Sequence, residues 1–370
     1  MRIVITGADG FIGRNLAVRL GELGYVDVVG ITLNSSPNDL RVALEGADFV
    51  FHLAGVNRPK DVSEFATGNA GFTAVLCEAL DKTQCMAPVA FTSSVQAVLD
   101  NPYGLSKRAA EEILLQHSFR HGVPVYLFRL TNVFGKWAQP NYNSVVATFC
   151  YNIVRGVEIT INDPAAPLRL VYVDDVVDAF VGLLTAPGVS GGFVEAGPVY
   201  ETTVGELAQT LRGFAESRAS MVTARVGSGL VRALYSTYLS YLPPESFAYE
   251  VPRHADPRGV FVEMLKTPDC GQFSYFTAHP GITRGEHYHH SKTEKFLVIK
   301  GTARFGFRHI TTGECYELIT KGSEARIVET VPGWTHNITN IGDDELIVML
   351  WANEIFDPNK PDTFAMQVNP

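Results

Sequence analysis

Thr92-Ser93-Ser94-Val-Gln-Ala-Val-Leu-Asp-Asn-Pro-Tyr103-Gly-Leu-Ser-Lys107 is the stretch on which the reading of the first half of the chain turns. Tyr103 and Lys107 stand four residues apart, a spacing that places both on one face of a helix about one turn apart. A lysine ammonium beside a phenol lowers the phenol's pKa and lets it pass a proton near neutral pH. The Ser94 hydroxyl, or that of Ser93, can hold a substrate oxygen. Moving a hydride onto or off a carbonyl carbon requires this combination. A Tyr-x-x-x-Lys pair alone is common on surface helices, so the flanking sequence decides its meaning.

Upstream, Arg2 to Thr6 is a β-branched run suited to a buried parallel strand, and Arg14 to Leu23 has helical apolar spacing. Between them lies Gly7-Ala-Asp-Gly10-Phe11-Ile12-Gly13. Glycines between a strand and a helix let backbone approach a pyrophosphate, and the helix N-terminus adds amides and partial positive charge. Asp27 to Leu33 reads as the second strand. It ends in Thr32-Leu33-Asn34, with no carboxylate to repel a 2′-phosphate, and Arg14 can attract one, which favours NADPH over NADH. Phe49 to Gly55 is a further strand ending in a tight turn at Ala54-Gly55, and Asn69 opens a helix. Val89 to Thr92 then delivers Ser93 and Ser94 to the C-terminal sheet edge, where ligands bind in open α/β sheets.

These motifs, with His52-Leu-Ala-Gly55, Phe128-Arg-Leu-Thr-Asn132-Val-Phe-Gly135 and Val171-Tyr-Val-Asp-Asp175, resemble the extended short-chain dehydrogenase/reductases. The resemblance covers most of residues 1 to 240. It implies an α/β Rossmann-like doubly wound parallel sheet, with Tyr103 as proton donor and Ser94 binding the carbonyl. Lys107 would hold the nicotinamide ribose and tune the tyrosine. It also implies cofactor contacts from Gly7, Gly10, Phe11, Ile12, Gly13, Arg14, Ala54, Gly55 and Asn69. Asn132 and Asn143 would be sugar-nucleotide contacts; as loop hydrogen-bonders they would serve structure alone.

Helices are expected over Val204 to Phe214 and Leu230 to Leu242, and Pro243-Pro244 ends the helical texture. We therefore expect a dinucleotide-binding domain over 1–244 and a second domain over 245–370. In the latter, Phe261 to Leu265, Phe273 to Phe276, Lys295 to Ile299 and Ala303 to His309 read as short strands of an all-β sandwich or barrel. Within it, Gly281-Ile-Thr-Arg284-Gly-Glu-His287-Tyr-His289-His-Ser-Lys-Thr-Glu294 brings two alternate histidines and a carboxylate together, and His336 adds a third imidazole. Three imidazoles and one carboxylate suit zinc, iron, manganese or nickel.

This spacing resembles the cupins, jelly-roll barrels with a metal held at the positions of His287, His289, Glu294 and His336. Asp256-Pro-Arg258-Gly-Val-Phe-Val-Glu263 and Arg284-Gly-Glu-His287-Tyr also resemble the dTDP-4-keto-6-deoxysugar 3,5-epimerases. That likeness implies a diphosphate clamp from Arg258 and Arg284, and a base at His287, which here also begins the metal motif. His290, Lys295 and Tyr288 stand close by as other candidate bases.

Over nearly its whole length the chain resembles the bifunctional enzymes of capsular polysaccharide synthesis. The resemblance implies a UDP-linked 2-acetamido-2,6-dideoxy-4-ketohexose, epimerised at C3 by the cupin and reduced at C4 with NADPH. It further implies zinc and a homodimer formed through the cupin. The residues themselves leave open a single-activity reductase or 4-epimerase with a structural, dimerising cupin, and a non-enzymatic NADPH sensor.

The 370 residues suffice for two cores, with 46% hydrophobic content. A net charge of -9 argues against nucleic acid or an anionic membrane as main partner. The five scattered cysteines indicate neither a disulfide framework nor a thiolate metal site. No apolar run approaches the ~20 residues of a membrane span. A soluble cytoplasmic protein is expected.

Overall fold

The β-branched run Arg2–Thr6 forms the second strand from one edge of a six-stranded parallel sheet in the computed structural model. The model describes all residues except 186–189, 253, 257–258, 262–264, 266–270, 355–358 and 370, and the side chains of 254–256, 259–261, 272 and 274. Arg2–Thr6 pairs in parallel with Asp27–Ile31 on one side and Phe49–His52 on the other. Val89–Ser94, Val125–Leu130 and Gly192–Phe193 continue outward. The order reverses at the first strand, as in a doubly wound sheet. Parallel strands covered on both faces read as continuous apolar runs, and Ile3, Val4, Ile5, Val50, Val89 and Leu127 are fully buried. One face packs on Leu76, Leu80, Ala110 and Leu114 of two helices. On the other, Phe180 meets Phe51 and Phe128 at ring-centroid distances of 5.6 and 4.8 Å.

Helix ends follow local chemistry. Pro102–His121 starts with Asn101 accepting from the Gly104 amide, has Pro102 in its first turn, and stops at Gly122 in the left-handed region (φ 70°). Val204–Ser220, longer than the sequence reading, opens on a reciprocal Thr203/Glu206 capping box. Asn69 does not open a helix as expected: it lies inside a π-turn, Ala66–Gly71, that runs on into Phe72–Thr83.

The C-terminal strands form two five-stranded antiparallel sheets. One runs in the order Ala248–Glu250, Arg326–Glu329, Glu294–Lys300, Leu346–Ala352, Gln272–Ala278. The other runs Cys315–Lys321, Thr302–His309, Trp334–Asn340, Thr283–Tyr288, Phe364–Ala365. This is the expected cupin-like arrangement. The expected strand from Phe261 to Leu265 falls partly outside the described residues, with only Gly259–Phe261 assigned.

By their internal contacts the residues fall into two compact units. One holds 1–134, 142–144 and 168–201; the other holds 135–141, 145–167 and 202–370. The helices Val145–Ile153, Val204–Ser220 and Gly229–Ser240 therefore group with the β-sheets. The Arg218 guanidinium, from Val204–Ser220, pairs with the buried Glu329 of a strand. Glu329 also holds Lys295 Nζ at 3.0 Å, and Lys295 donates to the Tyr249 hydroxyl at 2.8 Å. Burial raises the Glu329 carboxyl, but Arg218 and Lys295 outweigh it and keep the carboxylate ionised.

Candidate functional site

The first unit presents a glycine turn and a hydroxyl pair at the C-terminal sheet edge. The Phe11–Glu22 helix starts at Gly10 with no side-chain cap and no acidic residue in its first turn. Its N-terminal field is thus left for an external anion. Gly13 is held close: a Cβ there would lie 2.2 Å from the Gly7 carbonyl oxygen. Gly55 is cradled likewise, since a Cβ would meet Asn69 Oδ1 at 2.9 Å and Lys107 Nζ at 3.0 Å. Asn69 pins that turn, accepting from the Val56 amide and donating to the Val56 carbonyl, both at 2.9 Å. Its amide also donates to Ser106 Oγ at 2.9 Å. An uncapped helix start and two glycine cradles fit a dinucleotide. These residues would hold it, and when bound it would supply hydride chemistry.

Val89–Ser94 delivers the two serines to opposite duties. Ser93 is buried and its hydroxyl is bonded to Glu111, which receives Arg129 through two contacts at 2.9 and 2.6 Å. Ser94 accepts from the Gln96 amide at 3.1 Å, and its side chain acts on the Tyr103 phenol to lower its pKa. Ser93 is committed to the interior, and Ser94 is the serine that meets the tyrosine.

The expected lowering of the Tyr103 pKa by Lys107 is not found. Burial pushes the phenol above its ordinary value, and the Ser94 hydrogen bond only partly offsets this. Lys107 points its ammonium at the Thr92 carbonyl (2.9 Å) and over the Phe91 ring (4.8 Å). Burial lowers Lys107 to about 8, against the opposing pull of Glu111. His52 is a structural group: its ring bridges Thr6 and Thr73 hydroxyls at 2.8 and 2.9 Å, and burial, then Lys107, lowers it to about 3.

Asn132 is exposed and donates to the Arg169 carbonyl at 3.1 Å. Asn143 is exposed in a turn. At the loop after the second strand, Thr32 and Ser35 bond each other and Leu33 is 98% exposed, leaving no carboxylate at that edge.

In the second unit, one ligating atom from each of His287, His289, Glu294 and His336 lies within 4.8 Å of the others. His287 and His289 do not simply alternate along a strand. Glu286 sits at φ 59° in a bulge between Gly285 and His287, and His289 lies just past the end of Thr283–Tyr288. Such a bulge re-aims side chains. His289 Nδ1 donates to the Asp362 carbonyl at 2.5 Å, which leaves Nε2 as the ligating nitrogen, 3.2 Å from Glu294 Oε2. His336 Nε2 stands 3.5 Å from the same oxygen, and Lys292 Nζ lies 2.9 Å from Glu294 Oε1.

Burial raises the Glu294 carboxyl, but the His289, His336 and Lys292 partners outweigh it and hold it well below the carboxylate range. Burial lowers His287 to about 3, aided by His336 and His289, so its imidazole is neutral at physiological pH. Neutral imidazoles and an ionised carboxylate are the forms that bind a divalent metal. The donor set fits zinc, and these four residues would hold it.

Asp362 is not among the expected site residues. Its carboxylate accepts from the His290, Ser291 and Lys292 amides at 2.9, 2.7 and 2.7 Å, clamping the loop between two ligands. Seventy-odd residues separate it from that loop, so no spacing signal reveals it. Lys295, a candidate base, is engaged by Glu329 and Tyr249, and its pKa is raised: burial lowers it, but Glu329 outweighs that. Such a cation is a poor base. Arg284 is exposed, donating to the Thr277 carbonyl at 3.3 Å with its guanidinium over Phe276. Arg258 lies outside the described residues. Among the described residues no helix is long and apolar enough to cross a membrane.

Comparison with known proteins places two family models on the chain. "NAD dependent epimerase/dehydratase family" matches residues 3–197, and "Polysaccharide biosynthesis C-terminal domain" matches 254–364. A UDP-2-acetamido-2,6-beta-L-arabino-hexul-4-ose reductase of Pseudomonas aeruginosa is 58% identical over 100% of this chain and 99% of its own. The crystal structure of capsular polysaccharide assembling protein CapF from Staphylococcus aureus aligns with TM-score 0.68 at 40% identity, covering 99% of this chain and 100% of that one. A UDP-glucose 4-epimerase of Thermotoga maritima, solved with UDP-glucose, aligns over 58% of this chain and 82% of its own, with TM-score 0.51 and 25% identity.

Proposed function

The chain belongs to the NAD dependent epimerase/dehydratase family, and from that premise we propose that it is a bifunctional nucleotide-sugar enzyme. Residues 245–370 epimerise C3 of UDP-2-acetamido-2,6-dideoxy-4-ketohexose. Residues 1–244 then reduce the C4 ketone with NADPH, giving UDP-2-acetamido-2,6-dideoxy-talose on the route to UDP-N-acetyl-L-fucosamine for capsule or O-antigen. One observation carries this reading. A single polypeptide holds both a Ser94–Tyr103 hydroxyl pair at a dinucleotide-type sheet edge and a three-histidine, one-carboxylate pocket in a cupin-like fold.

The two chemistries are linked through the ketone. A C4 carbonyl acidifies the C3 hydrogen, because the resulting carbanion delocalises into the oxygen. Zinc, when bound, supplies positive charge to the pocket, and NADPH, when bound, supplies the hydride. Ser94 holds the C4 oxygen and Tyr103 gives it the proton that makes the alcohol. Lys107, which donates to the Thr92 carbonyl, holds a ribose hydroxyl. Asn132, Asn143, Arg258 and Arg284 bind the nucleotide sugar, the arginines through the diphosphate. The protein works in the cytoplasm as a homodimer paired through the cupin.

The test uses the full chain and the ketosugar in deuterated buffer. Without NADPH, deuterium should enter C3. With NADPH, one equivalent should be oxidised per product formed, and NMR should show the talo configuration. Absence of exchange removes the epimerase half; turnover without added NADPH removes the reductase half.

A further inference from the structure

Away from the hydroxyl pair, the first unit contains a second group of metal-type donors. His117 and His121 lie four apart on the Pro102–His121 helix, and Asp81 lies on the neighbouring Phe72–Thr83 helix. One donor atom from each lies within 4.8 Å of the others. Two histidines at i and i+4 on one helix face, met by a carboxylate, are a known zinc-binding geometry.

The hydrogen bonding of this cluster is unusual. His117 is 2% exposed, yet neither of its ring nitrogens has a hydrogen-bond partner. Its Nδ1 is 3.4 Å from Asp81 Oδ1. His121 Nε2 is 2.9 Å from the same oxygen, and it too lacks a hydrogen bond of acceptable geometry. The carboxylate is therefore near both rings but off their N–H axes. Buried imidazole nitrogens left without partners cost free energy, unless something else occupies the point they share. The ring centroids sit 4.6 Å apart. Asp81 and His121 are 35% and 32% exposed, which leaves a path for an ion and room for water as a further ligand. Arg120 Nη1 stands 3.8 Å from Asp81 Oδ2, whereas both imidazoles approach Oδ1, so it competes for charge but not for the donor atom.

We propose that Asp81, His117 and His121 form a second divalent-metal site, suited to Zn2+ or a neighbouring late first-row ion. Two nitrogens and one oxygen leave a position open to solvent. The site is peripheral to the hydroxyl pair, tying together two helices that flank the parallel sheet.

The experiment titrates zinc into the full chain after removal of metal, in competition with a chromophoric chelator. Asp81→Asn and His121→Gln change partly exposed groups and leave the buried His117 in place. Each variant should take up one zinc equivalent fewer than the parent chain. A Glu294→Gln chain should keep the equivalent that those two lose. In crystals soaked with zinc, anomalous scattering should show an ion between the two helices. Equal zinc uptake by the parent and both variants would overturn the proposal, leaving the cluster as an ion pair at a helix C-terminus.

Discussion

The two candidate sites are assembled in opposite ways. At the parallel-sheet edge, Ser94, Tyr103 and Lys107 come from one continuous stretch, and helix geometry alone sets Tyr103 and Lys107 side by side. In the β-rich unit, His287, Glu294 and His336 come from three strands and His289 from the loop after the first, and Asp362 closes that loop from near the C-terminus. The first arrangement needs only a helix and a strand end. The second needs correct sheet register, a bulge at Glu286 and a distant clamp. Proton-donating hydroxyls can tolerate partial exposure, whereas metal ligands must be neutral or ionised as required and held in place before the ion arrives.

The largest effect expected from breaking one side alone is at Tyr103. Tyr103→Phe removes the proposed proton donor and should lower kcat for ketone reduction by ~10²–10⁴-fold. Deuterium exchange at C3 should survive, followed by NMR beside NADPH oxidation. If exchange is lost as well, the sites are not separable in the way described.

Histidine behaviour sharpens the contrast next. His52 is bridged by two threonines and neutral, with its pKa lowered from 6.5 to about 3 by burial. The unfolded chain takes up a proton near 6.5, the folded chain only near about 3. The neutral ring's contribution to stability is thus complete above about 6.5 and declines as pH falls toward about 3, by up to a few kcal/mol. Chemical denaturation across that range should show a shallower acid slope for His52→Gln. An unchanged slope would reassign the acid sensitivity to other groups.

A smaller effect should follow from Asp362→Ala. The four proposed metal ligands stay, but three amides of the 290–292 loop lose their acceptor. Metal affinity should fall about 10–100-fold, read by chelator competition, with secondary structure retained by circular dichroism. Wild-type affinity would show that the strands alone hold the ligands.

The smallest difference separates adjacent serines. Ser93→Ala should cost about 1 kcal/mol of stability through its lost bond to Glu111 and leave kcat nearly unchanged. Ser94→Ala should depress kcat with little effect on the urea midpoint. Reversed outcomes would exchange their roles.

Much of the doubly wound half is legible from residue order. Gly7 to Gly13 between a strand and a helix, and serines at a strand end, are local patterns, and the sheet follows from them. The histidine–glutamate set is legible too, as types and approximate spacing. The sequence does not choose between Ser93 and Ser94, because the choice rests on Glu111 and Arg129 closing over one of them. Nor does spacing foretell that burial raises the Tyr103 phenol with only Ser94 opposing it, since desolvation depends on everything packed around the ring.

Residue spacing settled what neighbours within a turn or two can settle: the helix face and the glycine turn. Packing decided the rest. The Asp362 clamp, the bulge that aims His287, and the Arg218–Glu329–Lys295 cluster that binds a helix to the β-sheets all join groups far apart in the chain. Their charges and hydrogen bonds acquire strength only when folding removes water from between them.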